Sequence, residues 1–147
     1  KNKWKKINKQ PHIIIFEGWC VGARAQNNKN LIKSINVLEK KEDSNLFWRN
    51  KVNKELKNEY KKIFDKIDKL IFLKVPNFKC VYKWRLLQEK KLKLTSIGKK
   101  IMSATQVKQF IMYYERLTMQ MLKDLTSEAD VVLHLDEKHR FNKIKFN

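Results

Sequence analysis

His12-Ile-Ile-Ile-Phe-Glu-Gly-Trp19 sets the first expectation for the fold. Four consecutive large apolar residues, Ile13 to Phe16, are too few for a helix and too uniform for a strand with one wet face. They predict a central parallel strand over 12–19, covered on both faces and stopped by Gly18. Two more short apolar runs read the same way: Lys69-Leu-Ile-Phe-Leu-Lys-Val75, stopped by Pro76, and a strand over 130–136 built on Val131-Val-Leu-His-Leu135.

The segments between these runs are helical in period. Leu31, Ile32, Ile35 and Leu38 suit one short helix. Val52, Leu56, Tyr60, Ile63 and Ile67 mark a helix over 45–67. Asn77 can cap a helix over about 78–93, and a loop containing Gly98 follows it. Ser103-Ala-Thr-Gln106 is a capping box. The helix behind it carries Val107, Phe110, Ile111, Tyr114, Leu117, Met121 and Leu125 as an apolar face. Strands alternating with helices predict a single α/β domain: a three-layer parallel sheet with flanking helices. Ligands of such sheets sit at the carboxyl ends of the strands. Here those ends hold Glu17-Gly18-Trp19, Pro76-Asn77 and the stretch from Asp136 to Arg140.

The chain has 147 residues, enough for one domain and a real core. With 42% hydrophobic and 11% aromatic residues it is not a disordered chain. No apolar run approaches the ~18 residues of a membrane helix, and no secretory signal is legible. A cytoplasmic, membrane-free protein is therefore expected. The first residue is Lys, which suits a fragment, a processed product or a trimmed chain.

The net charge is +19, from 34 basic and 15 acidic residues. One reading is a polyanion partner. The other is drift toward A/T-rich codons, because Lys, Asn and Ile are all abundant. The five Arg, at 24, 49, 85, 116 and 140, resist that drift and are the more informative positions. Arg suits phosphate because its planar fork donates two bonds; the alternative for each is a solvated surface side chain. Glu17, after four apolar residues, is either a magnesium-shell or water-holding carboxylate or an acceptor of amides from the adjacent turn. Cys20 and Cys80 make no disulfide framework and read as reduced, buried thiols. His134, Asp136 and His139 are read as structural rather than as a metal cluster. Gly occurs only at 18, 22 and 98, so this chain holds no Gly-rich phosphate cradle.

Phe16-Glu-Gly-Trp-Cys-Val-Gly22 resembles the Glu-Gly-Trp segment of the P-loop kinases related to D-glycerate 3-kinase. The likeness continues through Val52-Asn-Lys-Glu-Leu56, Val81-Tyr-Lys-Trp-Arg-Leu-Leu-Gln-Glu89, Tyr114-Glu-Arg-Leu-Thr118, and Leu135-Asp136 with Arg140. It spans about residues 12–141 in order. It implies a P-loop nucleotide-kinase fold, incomplete at the N-terminus, with lid and acceptor helices over 77–126. It also implies ATP-dependent phosphorylation of a small hydroxyl substrate such as glycerate. Glu17 would then be a catalytic and magnesium-binding carboxylate, and Arg85 a catalytic lid residue. Arg140 and Arg116 would bind the nucleotide, and ATP and Mg²⁺ would be the cofactors. The phosphate-binding loop would come from a preceding segment or a separate chain, and 1–147 alone would be inactive. The competing function is a non-catalytic, polyanion- or nucleic-acid-binding module on the same fold; nucleic acid is not the expected partner.

Overall fold

The computed structural model describes residues 7–95 and 101–147. The loop expected around Gly98 lies outside them. Two short helices, α1 (Asn28–Ile32) and α2 (Val37–Glu42), replace the single one expected. Asn27 and Asn36 cap them by accepting the amides of Lys29 and Glu39. Helix α3 (Phe47–Glu55) runs through a π-helical turn, Leu56–Tyr60, into α4 (Lys61–Phe64). Then come β1 (Ile71–Lys74), α5 (Phe78–Thr95), α6 (Ala104–Glu128), β2 (Val131–Leu135) and β3 (Phe141–Phe146).

The 25 residues of α6 form the spine. Both halves of the capping box are made: Ser103 Oγ accepts from the Gln106 amide, and the Gln106 side chain accepts from the Ser103 amide. Ser103→Ala is expected to cost about 1 kcal/mol, read as a lower urea midpoint at unchanged m. One face of the helix buries Val107, Ile111, Met121 and Leu125. Met121 and Leu125 join Ala23, Leu56, Ala129 and Val132 in the core, with Phe72 and Leu70 packed against it.

The sheet has the order β1-β2-β3, with β1 parallel to β2 and β3 antiparallel to β2. It is therefore small and mixed, not the parallel three-layer sheet expected. Phe72 and Val132 face α6. The opposite face carries Ile71 and Leu73 of β1, Val131 and Leu133 of β2, and Ile144 and Phe146 of β3 in matched rows. Ile71, Leu73, Ile144 and Phe146 are 55–76% exposed. Among the described residues nothing covers this face.

The run at 12–19 does not form a strand. Ile13 to Phe16 belong to no helix or strand and are 57–88% exposed. A strand exists by cross-strand pairing, and β1 pairs only with β2 among the described residues. The turn that follows is fixed. Gly22 has φ +81°, and a Cβ there would meet Leu70 Cδ2 at 2.7 Å, so glycine lets this turn lie against the start of β1.

Candidate functional site

A cavity of about 380 Å³ lies between the carboxyl end of β1 and the helix pair α5–α6. Phe72 and Val75 form one wall, Phe110, Ile111 and Met121 of α6 another, and Trp19 closes a side. Trp19 packs edge-on against Tyr114, ring centroids 5.0 Å apart, and Tyr114 packs against Phe110 at the same distance. Trp19 thus reaches the cavity because the Gly18–Gly22 turn brings it to α6. Trp19, Arg85, Tyr114 and Thr118 are the lining residues with polar side-chain atoms.

Arg85 sits on α5, one turn before Glu89. Its Nη2 pairs with Glu89 Oε1 at 2.6 Å, and its Nη1 donates to Gln88 Oε1. The guanidinium lies 5.3 Å from the Phe110 ring centroid, within cation–π range. Glu89 is 4% exposed and its other oxygen accepts the Met102 amide at 2.9 Å, which ties the entry of α6 to α5. Arg85 Nε is buried and has no hydrogen-bond partner. An unpaired buried donor costs about 1–3 kcal/mol. Sequence reasoning missed Glu89 as the residue that orients Arg85; the signal was the Arg/Glu spacing of four on a helix.

Glu17 stands two residues before Trp19, exposed. Among the described residues it has no ion-pair partner, and no group of three His, Cys, Asp or Glu gathers where a metal could sit. Nor do the described residues supply a phosphate cradle, given the three glycines. Asp136, His134 and His139 also go separate ways. His139 stacks on Trp84 at 4.0 Å, and Asp136 pairs with Arg140 at 2.8 Å.

Arg140 lies in the β2–β3 turn with its side chain 71% exposed. Asp136 organises that turn by accepting the amides of Lys138 and Arg140. The Arg140 amide, with the Arg140 and Lys138 contacts added, outweighs burial and holds the Asp136 carboxyl below its usual range. Trp84 Nε1 donates to the Glu137 carbonyl, and Lys83 pairs with Glu137, so the turn is fastened to α5. Arg140 is thus presented to solvent away from the Arg85 cavity lining.

Arg116 is placed differently. It points from α6 to the first turn of α2, where Nε and Nη2 meet both oxygens of Glu39 at 2.7 Å. Nη1 donates to the Asn30 carbonyl and Nη2 to the Lys33 carbonyl. Four internal contacts occupy most of the five donors of a guanidinium. Glu39 also accepts the Ile35 amide at 2.9 Å and lies 3.8 Å from Arg49. Burial raises the Glu39 carboxyl, but the Arg116 bonds, the Ile35 amide and the two guanidinium charges together hold it below its usual range.

No protein-family profile matches the chain. It is 35% identical over 116 residues to the uncharacterized kinase mug58 of Schizosaccharomyces pombe, covering 78% of this chain and 40% of that protein. Its structure is similar to D-glycerate 3-kinase from Cryptococcus neoformans, TM-score 0.70 at 21% identity, over 96% of this chain and 52% of that one. It is also similar to the YGR205w protein, TM-score 0.63 at 24% identity, over 87% and 45% respectively. The chain therefore has the fold of part of these proteins and spans about half or less of their lengths. The resemblance read from the sequence is matched by a kinase among the sequence relatives and by the fold of a D-glycerate 3-kinase. Among the described residues no helix is long and apolar enough to cross a membrane.

Proposed function

We propose that these residues form the acceptor and lid part of an ATP-dependent kinase for a small hydroxy acid, with the phosphate-binding loop supplied from outside residues 1–147. One observation carries the reading. Trp19 of the Glu-Gly-Trp segment and Arg85 of the Trp-Arg segment are far apart in sequence yet line one cavity beside the carboxyl end of β1. That cavity is walled mostly by apolar groups, and the Arg85 guanidinium, paired with Glu89, is part of its lining. Such a pocket can take a small acceptor against apolar walls with the Arg85 guanidinium at its edge. In the reaction the acceptor oxygen bonds to the terminal phosphorus, the bond to the ADP oxygen breaks, and the hydroxyl proton leaves to a base. Arg85 stabilises charge on the transferring group. Glu17 contributes one carboxylate near the site mouth, and Arg140 lies on the nucleotide side. Arg116 acts as a positioning residue for the α1–α2 loop. The uncovered sheet face and the free edge of β1 are where the completing segment packs; parallel sheets are normally covered on both faces.

The test is ADP release with D-glycerate and Mg-ATP, run on residues 1–147 and on the full protein that carries them. The 147-residue chain should stay at background and the full protein should turn over. Turnover that scales with the purified 147-residue chain would overturn the division of the site.

A further inference from the structure

We propose that residues 27–42, the stretch carrying α1 and α2, form a latched strap that opens as a unit while the sheet and α6 stay folded, with Arg116 as the latch. The inference goes beyond the kinase reading and does not depend on it. Both ends of the strap are pinned. Before it, the Gln26 amide donates to Asn53 Oδ1 and the Gln26 carbonyl accepts from Asn53 Nδ2, which fastens the chain to α3. After it, Asp43 is held by the Arg49 guanidinium and by the amides of Trp48 and Arg49.

Between these pins the strap is held down by polar bonds more than by burial. Leu31, 2% exposed, is its apolar anchor, whereas Ile32, Ile35 and Val37 are 44–68% exposed. Helices of five and six residues do not keep their shape without a surface to lie on. That surface is α6, and the contacts with it converge on Arg116. Its guanidinium donates to the Asn30 and Lys33 carbonyls in one half of the strap and to the Glu39 carboxylate in the other. Asn36 adds bonds to the Met112 carbonyl and to Glu115, and Arg49 donates to the Leu31 carbonyl from α3. One side chain thus ties both short helices down, so its release frees both halves together. A segment with few buried apolar contacts opens at a lower free energy than the core.

Opening has two consequences. A cavity of about 510 Å³ lies between the strap and α6, with Asn27, Asn30 and Ile35 on one side and Met119, Gln120 and Lys123 on the other. Lifting the strap removes one wall of it. It also strips Arg116 of its acceptors, so a side chain now 13% exposed becomes a solvent-facing cation. The latched state is the one in which this cavity exists and Arg116 is masked.

The experiment is hydrogen exchange read by mass spectrometry on the full protein, at urea concentrations below its unfolding transition. Peptides covering 28–42 should exchange at least about tenfold faster than peptides covering 119–126 of α6. Their rates should hardly change with urea, because little surface is exposed, whereas the α6 rates should climb steeply. Arg116→Met should speed the strap peptides by at least about tenfold more, with the weak urea dependence kept. Glu39→Gln, which keeps the side-chain shape and removes only the charge, is the milder variant and should speed the same peptides by a smaller factor. If strap and α6 peptides exchange at one rate with one urea slope, the strap opens only when the whole protein unfolds, and the proposal fails. It fails equally if the strap peptides are fast but Glu39→Gln leaves them unmoved, since the Arg116–Glu39 pair is then no latch.

Discussion

Arg49→Ala is expected to lower the unfolding free energy by about 3–5 kcal/mol, the cost of stripping one partner from a buried ion pair. Arg49 and Asp43 have side chains only 6% and 7% exposed. Arg49 Nε donates to Asp43 Oδ2 at 2.7 Å, Nη1 to the Leu31 carbonyl at 2.7 Å, and Nη2 to the Asp43 carbonyl. Asp43 in turn accepts the amides of Trp48 and Arg49 at the start of α3. Removing Arg49 leaves a buried carboxylate with no cation and frees the C-terminal end of α2. Urea denaturation at pH 7 reads the loss. Arg49→Lys should recover only part of it, since an ammonium keeps the charge without the fork.

The same network sets an acid dependence. Burial raises the Asp43 carboxyl, but the Arg49 side chain, the two amides and the Arg49 charge hold it below its usual value. Glu39 is also depressed. Depressed carboxyls bind protons more weakly folded than unfolded, so their contribution is complete above the unfolded values of ~3.9 and ~4.3. It falls away as pH drops through the lower folded values. The urea midpoint should therefore hold from pH 7 to about 5 and decline below pH 4. A single change at Arg49 flattens that decline.

The long helices and two of the strands were legible because their signals are local. The capping box at Ser103 and the apolar face of α6 need no distant partner to be read. The segment 12–19 failed for the opposite reason: its apolar run states that the side chains want cover, but pairing depends on a strand elsewhere. β3 went unread because Phe141, Ile144 and Phe146 do not alternate. An irregularity between His134 and Leu135 pairs Leu135 with Phe141 and His134 with Lys143, which restores those three residues to one face. From α3 to α4 the apolar spacing misled in part. Val52 and Ile63 are each 50% exposed, while Arg49 and Asn53 are buried. Asn53 is inside because it exchanges hydrogen bonds with the Gln26 backbone. At the site, sequence singled out Arg85 through resemblance and gave Trp19 no place beside it. It could not tell Arg85, which lines a cavity, from Arg116, which is consumed by Glu39 and two carbonyls.

Arg85→Ala in the full protein is expected to lower kcat by about 10²–10³-fold, or ~3–4 kcal/mol, the usual cost of removing one donor from developing charge. The effect on ATP binding should be smaller, because such contacts strengthen as charge moves toward the leaving oxygen. Stability complicates the single variant. Without Arg85, the buried Glu89 keeps only the Met102 amide, at a cost of about 1–3 kcal/mol. Arg85→Ala combined with Glu89→Gln removes that stranded charge while keeping the acceptor for Met102. If Arg85 acts at the transferring group, the double variant regains stability and its kcat stays low. Recovery of kcat along with stability would reduce Arg85 to a prop for Glu89. Melting curves beside steady-state kinetics distinguish the two.

Phosphoryl transfer itself is the most direct measurement. The full protein is incubated with Mg-ATP labelled at the terminal phosphate and a 2-hydroxy acid, and the products are followed by phosphorus NMR. The account predicts an acid-dependent phosphate ester formed in step with ADP, and suppressed in Arg85→Ala. A well-folded full protein that forms no ester with any hydroxy acid, or releases only inorganic phosphate, contradicts it.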